Sequence, residues 1–140
     1  QLGVSVSRMK TDDIAIDEED KTIEDFIKEG NLEKFKELLA LIEDEEELNS
    51  LDEECGLGLI HWICDRGNSE MLELILSQKG INIDLLDSEN QTALHYSASC
   101  GHKKCISILL KNGAEKSILD QEGNSCIDVA FDEEIKQLLC

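Results

Sequence analysis

"GLIHWICDRG" occupies residues 58–67 and "TALHYSASCG" occupies residues 92–101. They lie 34 residues apart and share a His, an aromatic residue directly after it, and a closing Gly. A pattern that returns at such a period marks a chain built from stacked units, none able to bury its apolar face alone.

The match extends outward. Residues 87–120 align with the segment 34 positions earlier and with residues 120–140 some 33 positions later. Apolar residues recur in register: Ile60, Leu94 and Ile127; then Cys64, Ala98 and Phe131; then Leu72, Ile106 and Ile135. Each copy reads as a turn, a short helix, a Gly break, a longer helix and a loop. Thr92 suits a helix N-cap. Gly67 and Gly101 suit the left-handed residue that ends a first helix. Asn68 suits the cap of the next. Met71, Leu72, Ile75 and Leu76 then form one helical face, as do Cys105, Ile106, Leu109 and Leu110.

A first copy precedes them without the His. Ile23, Phe26 and Ile27 make one face, Gly30 the break, and Leu32, Phe35, Leu38, Leu39 and Ile42 the second face. The last copy is short and carries Asp128 in place of the His. Terminal copies cover the ends of a stack, so their divergence is expected.

Helix, Gly and helix around "TALH" (Thr92 to His95) resemble the ankyrin repeat, whose usual motif is T-P-L-H. The resemblance implies an all-α ankyrin-repeat solenoid over residues 20–140, in copies of about 20–54, 55–86, 87–119 and 120–140. It implies that His61 and His95 are structural, joining turn and helix backbones through two ring nitrogens. It also implies that the slot after each His, Trp62 and Tyr96, faces the concave surface, flanked by Asp65, Arg66, Ser99 and Cys100. Two aromatics stacked there would form a partly exposed binding strip. The other outcome is that they only pack against the turns.

"LIHWICDRGN" and "NQTALHYSASCGH" further resemble the repeats of acyl-CoA-binding-domain proteins. That family places a small helical ligand domain ahead of C-terminal ankyrin repeats. Residues 1–19 would then be an acidic linker from that domain. Acyl-CoA would be bound only through the upstream domain, and no ligand residue falls within this chain. The chain does not begin with Met, as expected of a processed chain or a fragment.

Composition narrows the partners. The 140 residues carry a formal net charge of −19, and residues 1–54 hold 19 acidic against 6 basic side chains. Such a surface repels phosphate backbones and anionic membranes, which argues against nucleic acid. It favours a protein partner with basic groups or an apolar anchor. No apolar run approaches a membrane span, and no signal peptide is evident. The six cysteines read as reduced thiols of a cytoplasmic protein, with Cys64, Cys105 and Cys126 in apolar patterns.

"HWIC" and "CGHKKC" hold zinc-type ligands (His61 and Cys64; Cys100, His102 and Cys105) but lack clean paired spacing. "EDEEE" (residues 43–47) lacks a calcium loop and reads as a solvated run. No metal, cofactor or catalytic residue is therefore expected. The chain reads as a non-enzymatic interaction module, monomeric by default. It fits the partner-recruiting part of an acyl-CoA carrier, with an adaptor lacking any lipid connection as the alternative.

Overall fold

The helices begin where short polar side chains can satisfy free amides and end where Gly permits a left-handed turn. The computed structural model describes residues 21–139. Thr22 opens α1 (Ile23–Glu29), accepting from the Asp25 amide. Asn31 opens α2 (Leu32–Leu39) by accepting from the Lys34 amide. A short helix α3 (Glu45–Leu48) follows, capped by Asp44. The acidic run from Glu43 to Glu47 thus leads into and forms most of this short helix, exposed up to Glu46 and pinned by the buried Leu48.

The two clear copies repeat one plan. In the second, α4 (Leu59–Arg66) ends at Gly67, and α5 (Ser69–Leu76) is capped by Asn68. In the third, Thr92 caps α6 (Ala93–Cys100), which ends at Gly101 before α7 (Lys103–Lys111). Gly67 and Gly101 sit at φ 72° and 78°, a conformation that Gly adopts without strain. Helix α8 (Glu133–Leu139) completes the order, and no strand occurs among the described residues.

Two layers result. The first helices α1, α4 and α6 stack in sequence, and α2, α5, α7 and α8 form the second layer. Between them lies one continuous core, including Phe26, Phe35, Ile60, Ile63, Met71, Leu72, Leu94, Ile106 and Ile135. Cys64, Cys105 and Cys126 are buried in it as small apolar side chains.

The last copy departs from the expected alignment. Residues 126–129 form turns rather than a first helix. Phe131, expected beside Cys64 and Ala98, is 67% exposed, and Ile127 is only partly buried. The chain leaves the helical path here because the Phe131 amide donates to the Ala98 carbonyl at 2.8 Å. That bond brings the Phe131 ring over Gly101.

One side chain ties each unit together. His61 Nδ1 accepts from the Gly58 amide at 2.8 Å, which leaves the ring proton on Nε2. Nε2 donates to the carbonyls of Leu85 (2.8 Å) and Gln91 (3.1 Å) in the next turn. His95 repeats this, accepting from the Thr92 amide at 3.1 Å and donating to the Asn124 carbonyl at 3.0 Å. In the outer copies Asp25 and Asp128 take the slot, accepting from the amides of Thr22 and Ser125 at 2.9 Å each. A carboxylate caps as His does but has no proton to hand to a following turn.

His61→Ala and His95→Ala should therefore each lower stability by about 1–3 kcal/mol, because buried backbone groups lose partners. Urea unfolding followed by circular dichroism measures this. An unchanged midpoint in both variants would contradict the bridging role.

Candidate protein-binding face

Three turns open the second, third and last copies, the first two directly before α4 and α6, and each is organised by an Asp. Asp87 Oδ1 accepts from the amides of Glu89 and Gln91 at 2.8 Å each. Asp120 Oδ1 does the same for Glu122 and Asn124 at 2.9 Å each. Asp52 Oδ1 accepts from Cys55 at 2.5 Å and Gly56 at 3.3 Å. These amides hold the Asp120 carboxyl below the usual carboxylate range, with the Asn124 amide the largest cause. Neighbouring turns are joined by Ser88 N–H to the Gly56 carbonyl (3.1 Å) and Gln121 N–H to the Glu89 carbonyl (2.9 Å).

The aromatic slot is bound into this scaffold. Trp62 Nε1 donates to Asp52 Oδ2 at 3.1 Å, and the Tyr96 hydroxyl donates to Asp87 Oδ2. Both aromatics are half-buried. Tyr96 lies tilted against His61, ring centroids 5.4 Å apart, while Lys28 Nζ stands 4.4 Å from the Trp62 centroid. Each ring thus has a polar tie to its own turn and presents part of its face.

The flanking residues divide. Cys100 Sγ lies 3.7 Å from Asp65 Oδ1, joining two repeats, and Ser99 Oγ lies 3.5 Å from the Tyr96 carbonyl. Ser99 and Cys100 are exposed and Asp65 is half-buried. Arg66 is exposed at the far end of α4, beside Gly67. Burial first, then the Asp65 carboxylate, raises the Cys100 thiol above its usual value. Burial likewise pushes Cys64 up, and Cys105 to about 11. Thiols held protonated in this way are poor nucleophiles and poor metal ligands.

The zinc-type residues do not converge. His61 is occupied by three backbone groups, and His102 Nε2 donates to the Asp65 carbonyl at 3.0 Å. Among the described residues no His, Cys, Asp or Glu cluster could hold a metal ion. Cys55, Cys64, Cys100, Cys105 and Cys126 are free thiols.

One further row stands on this face. Leu51, Leu86 and Leu119 immediately precede the three turn-forming Asp residues and are 38%, 40% and 55% exposed. The recurring Leu-Asp pair in "SLDEE", "LLDSE" and "ILDQE" was its signal. Exposed acidic side chains stand beside the row: Glu53, Glu54, Glu89 and Glu122.

A stack of helix pairs with projecting turns defines a repeat solenoid. The family model described as Ankyrin repeats (3 copies) matches residues 25–120, and the chain belongs to that family. The ankyrin-repeat domain of Bcl-3 superposes with a TM-score of 0.73 at 20% identity, over 84% of this chain and 50% of that one. ADP-ribosylation factor GTPase-activating protein AGD4 of Arabidopsis thaliana is 39% identical over 90 residues, covering 60% of this chain and 12% of that protein. Human palmitoyltransferase ZDHHC13 is 29% identical over 113 residues, covering 80% of this chain and 18% of that protein. The chain spans less than a fifth of the length of these relatives. Ankyrin repeats bind protein partners, and at that level the chain is a protein-interaction module. No helix of the described residues is long and apolar enough to cross a membrane.

Tyr96 is the only tyrosine, so its ionisation can be read directly. Burial first, then donation to Asp87, raises its phenol well above the ordinary value near 10. A group raised on folding stabilises fully below its unfolded pKa, and that contribution fades as pH climbs toward the folded one. The phenolate absorbance should therefore emerge only above pH ~10, together with loss of structure. Asp87→Ala should bring the titration back toward the free value. An ordinary titration in the intact wild type would contradict the tie.

Proposed function

We propose that the chain is a non-enzymatic recruiting module that reads a basic, apolar protein segment. The segment would lie across the leucine row and the Trp62–Tyr96 slot, with Asp65, Arg66, Ser99 and Cys100 at its margin. The observation that carries this is the row itself. Three exposed leucines share one repeat position, each beside acidic turn residues. Apolar side chains of a partner would cover the leucines, and Lys or Arg would meet the carboxylates, which also speed encounter. A monomeric, cytoplasmic module with its thiols reduced fits this reading.

The resemblance of "LIHWICDRGN" and "NQTALHYSASCGH" to acyl-CoA-binding-domain proteins supports a finer assignment. In it the module follows an acyl-CoA carrier domain and recruits the enzyme that consumes the carried acyl group. The ligand is then held entirely upstream. A second reading, an adaptor with no lipid connection, is favoured by the variety of proteins that share this stretch, among them the potassium channel AKT2/3 of Arabidopsis thaliana. Joined to its native upstream sequence, the protein should bind palmitoyl-CoA under the first reading and not under the second.

Two measurements bear on the module. Selection from a displayed peptide library should enrich segments combining Lys or Arg with Leu or aromatic residues. Replacing Leu51, Leu86 and Leu119 together by Ser should weaken a selected peptide by about 2 kcal/mol or more, the scale of a binding hot spot. Added salt should chiefly slow its association. Equal binding by the triple variant would sink the row. Calorimetry of this chain alone with palmitoyl-CoA should show no saturable site, and a one-to-one micromolar isotherm would overturn the division of labour.

A further inference from the structure

The three junctions between successive copies are not closed alike. At the second, the His102 ring lies over Gly67, so close that a Cβ there would stand 2.5 Å from Nδ1. His102 also donates from Nε2 to the Asp65 carbonyl, two residues before that Gly, at 3.0 Å. At the third, the Phe131 ring lies over Gly101, 3.2 Å from where a Cβ would be. At the first, a Cβ on Gly30 would meet none of the described residues within 4 Å. The residue in the His102 position there is Asn68, whose side chain is turned inward to accept from the Met71 amide at 3.1 Å. What remains is an open cleft of about 440 Å³, floored by Ile27 and bounded by Lys28, Gly30, Arg66, Gly67 and Asn68.

We propose that this cleft binds a planar ring with an N–H donor, a His or Trp side chain carried by a protein partner and seated over Gly30 as His102 is over Gly67. The ring's acceptor would be the Lys28 carbonyl, which precedes Gly30 by two residues as Asp65 precedes Gly67. Arg66, exposed at the rim, offers a guanidinium that stacks on planar rings. The chain does not supply such a ring itself. Residues 1–20 contain no His, Trp, Tyr or Phe. Trp62 donates to Asp52, and His61, His95 and His102 donate to backbone carbonyls. Phe131 is exposed but has no N–H to donate. A second copy is therefore a poor occupant. The cleft lies at the C-terminal ends of α1 and α4; it shares Arg66 and Lys28 with the margin of the face described above but contains no residue of the leucine row, and the proposal goes beyond that face.

The test is amide-resolved NMR of the whole chain at pH 8, where free imidazole is neutral. The probes are N-acetyl-histidine amide and N-acetyl-tryptophan amide, with N-acetyl-alanine amide as the ring-free control. Both ring probes should shift the Gly30 and Gly67 amides saturably at roughly millimolar concentration, as fits so small a ligand. Asn68→His places in the chain the ring found at position 102 and should weaken probe binding at least tenfold. Gly30→Asn, a residue that tolerates positive φ, should do the same by occupying the cleft. Both variants should still bind a peptide selected on the leucine row, which separates this site from that reading. Linear shifts, shifts matched by the alanine amide, or undiminished saturation in either folded variant would overturn the proposal.

Discussion

A single hydrogen-bonding device, the imidazole at the third position of α4 and of α6, ties this stack of short helices together. His61 and His95 close the start of their own helix with one ring nitrogen and hold the next turn with the other. The helices they serve have only 8 residues each. Helices so short are marginal alone and rely on tertiary fixing. The ring supplies it in both directions: apolar packing aligns the helices, and the imidazole sets where the turns project.

The turns then become a rigid display. Each Asp gathers amides on one oxygen, and in two turns it receives an aromatic donor on the other. The leucine before each Asp cannot reach the core, because the residue after it is committed to the turn. It is left outward, and the repeat multiplies it into a row. Binding surface and fold thus come from the same residues. The aromatic slot serves both as well, since Trp62 and Tyr96 hold the turns while half-exposed.

The helices, the Gly stops and the His roles were legible because they rest on local chemistry: cap residues, left-handed Gly and a conserved spacing within the chain. Asp25 was not recognised as the counterpart of His61, because what they share is a cap geometry rather than a residue type. Phe131 departs from the alignment for a different reason. Its apolar character fits the core alignment, but the chain turns back so that its amide reaches the Ala98 carbonyl, which leaves the ring outside the core. The leucine row is harder to read, because a Leu before a turn has the same apolar pattern as a core residue. The open junction at Gly30 depends on which way Asn68 points, a tertiary outcome that no local pattern carries.

The most direct test of the whole account is native-state hydrogen exchange at the turn amides of Gln91, Thr92 and Asn124. Although they belong to surface turns, their donors point at Asp87, His95 and Asp120. They should exchange as slowly as the core amides of α4 and α6, opening only with the stack as a unit. Exchange at the rate of free loop amides, with the helices still protected, would show that the turns move independently and that no fixed row is displayed.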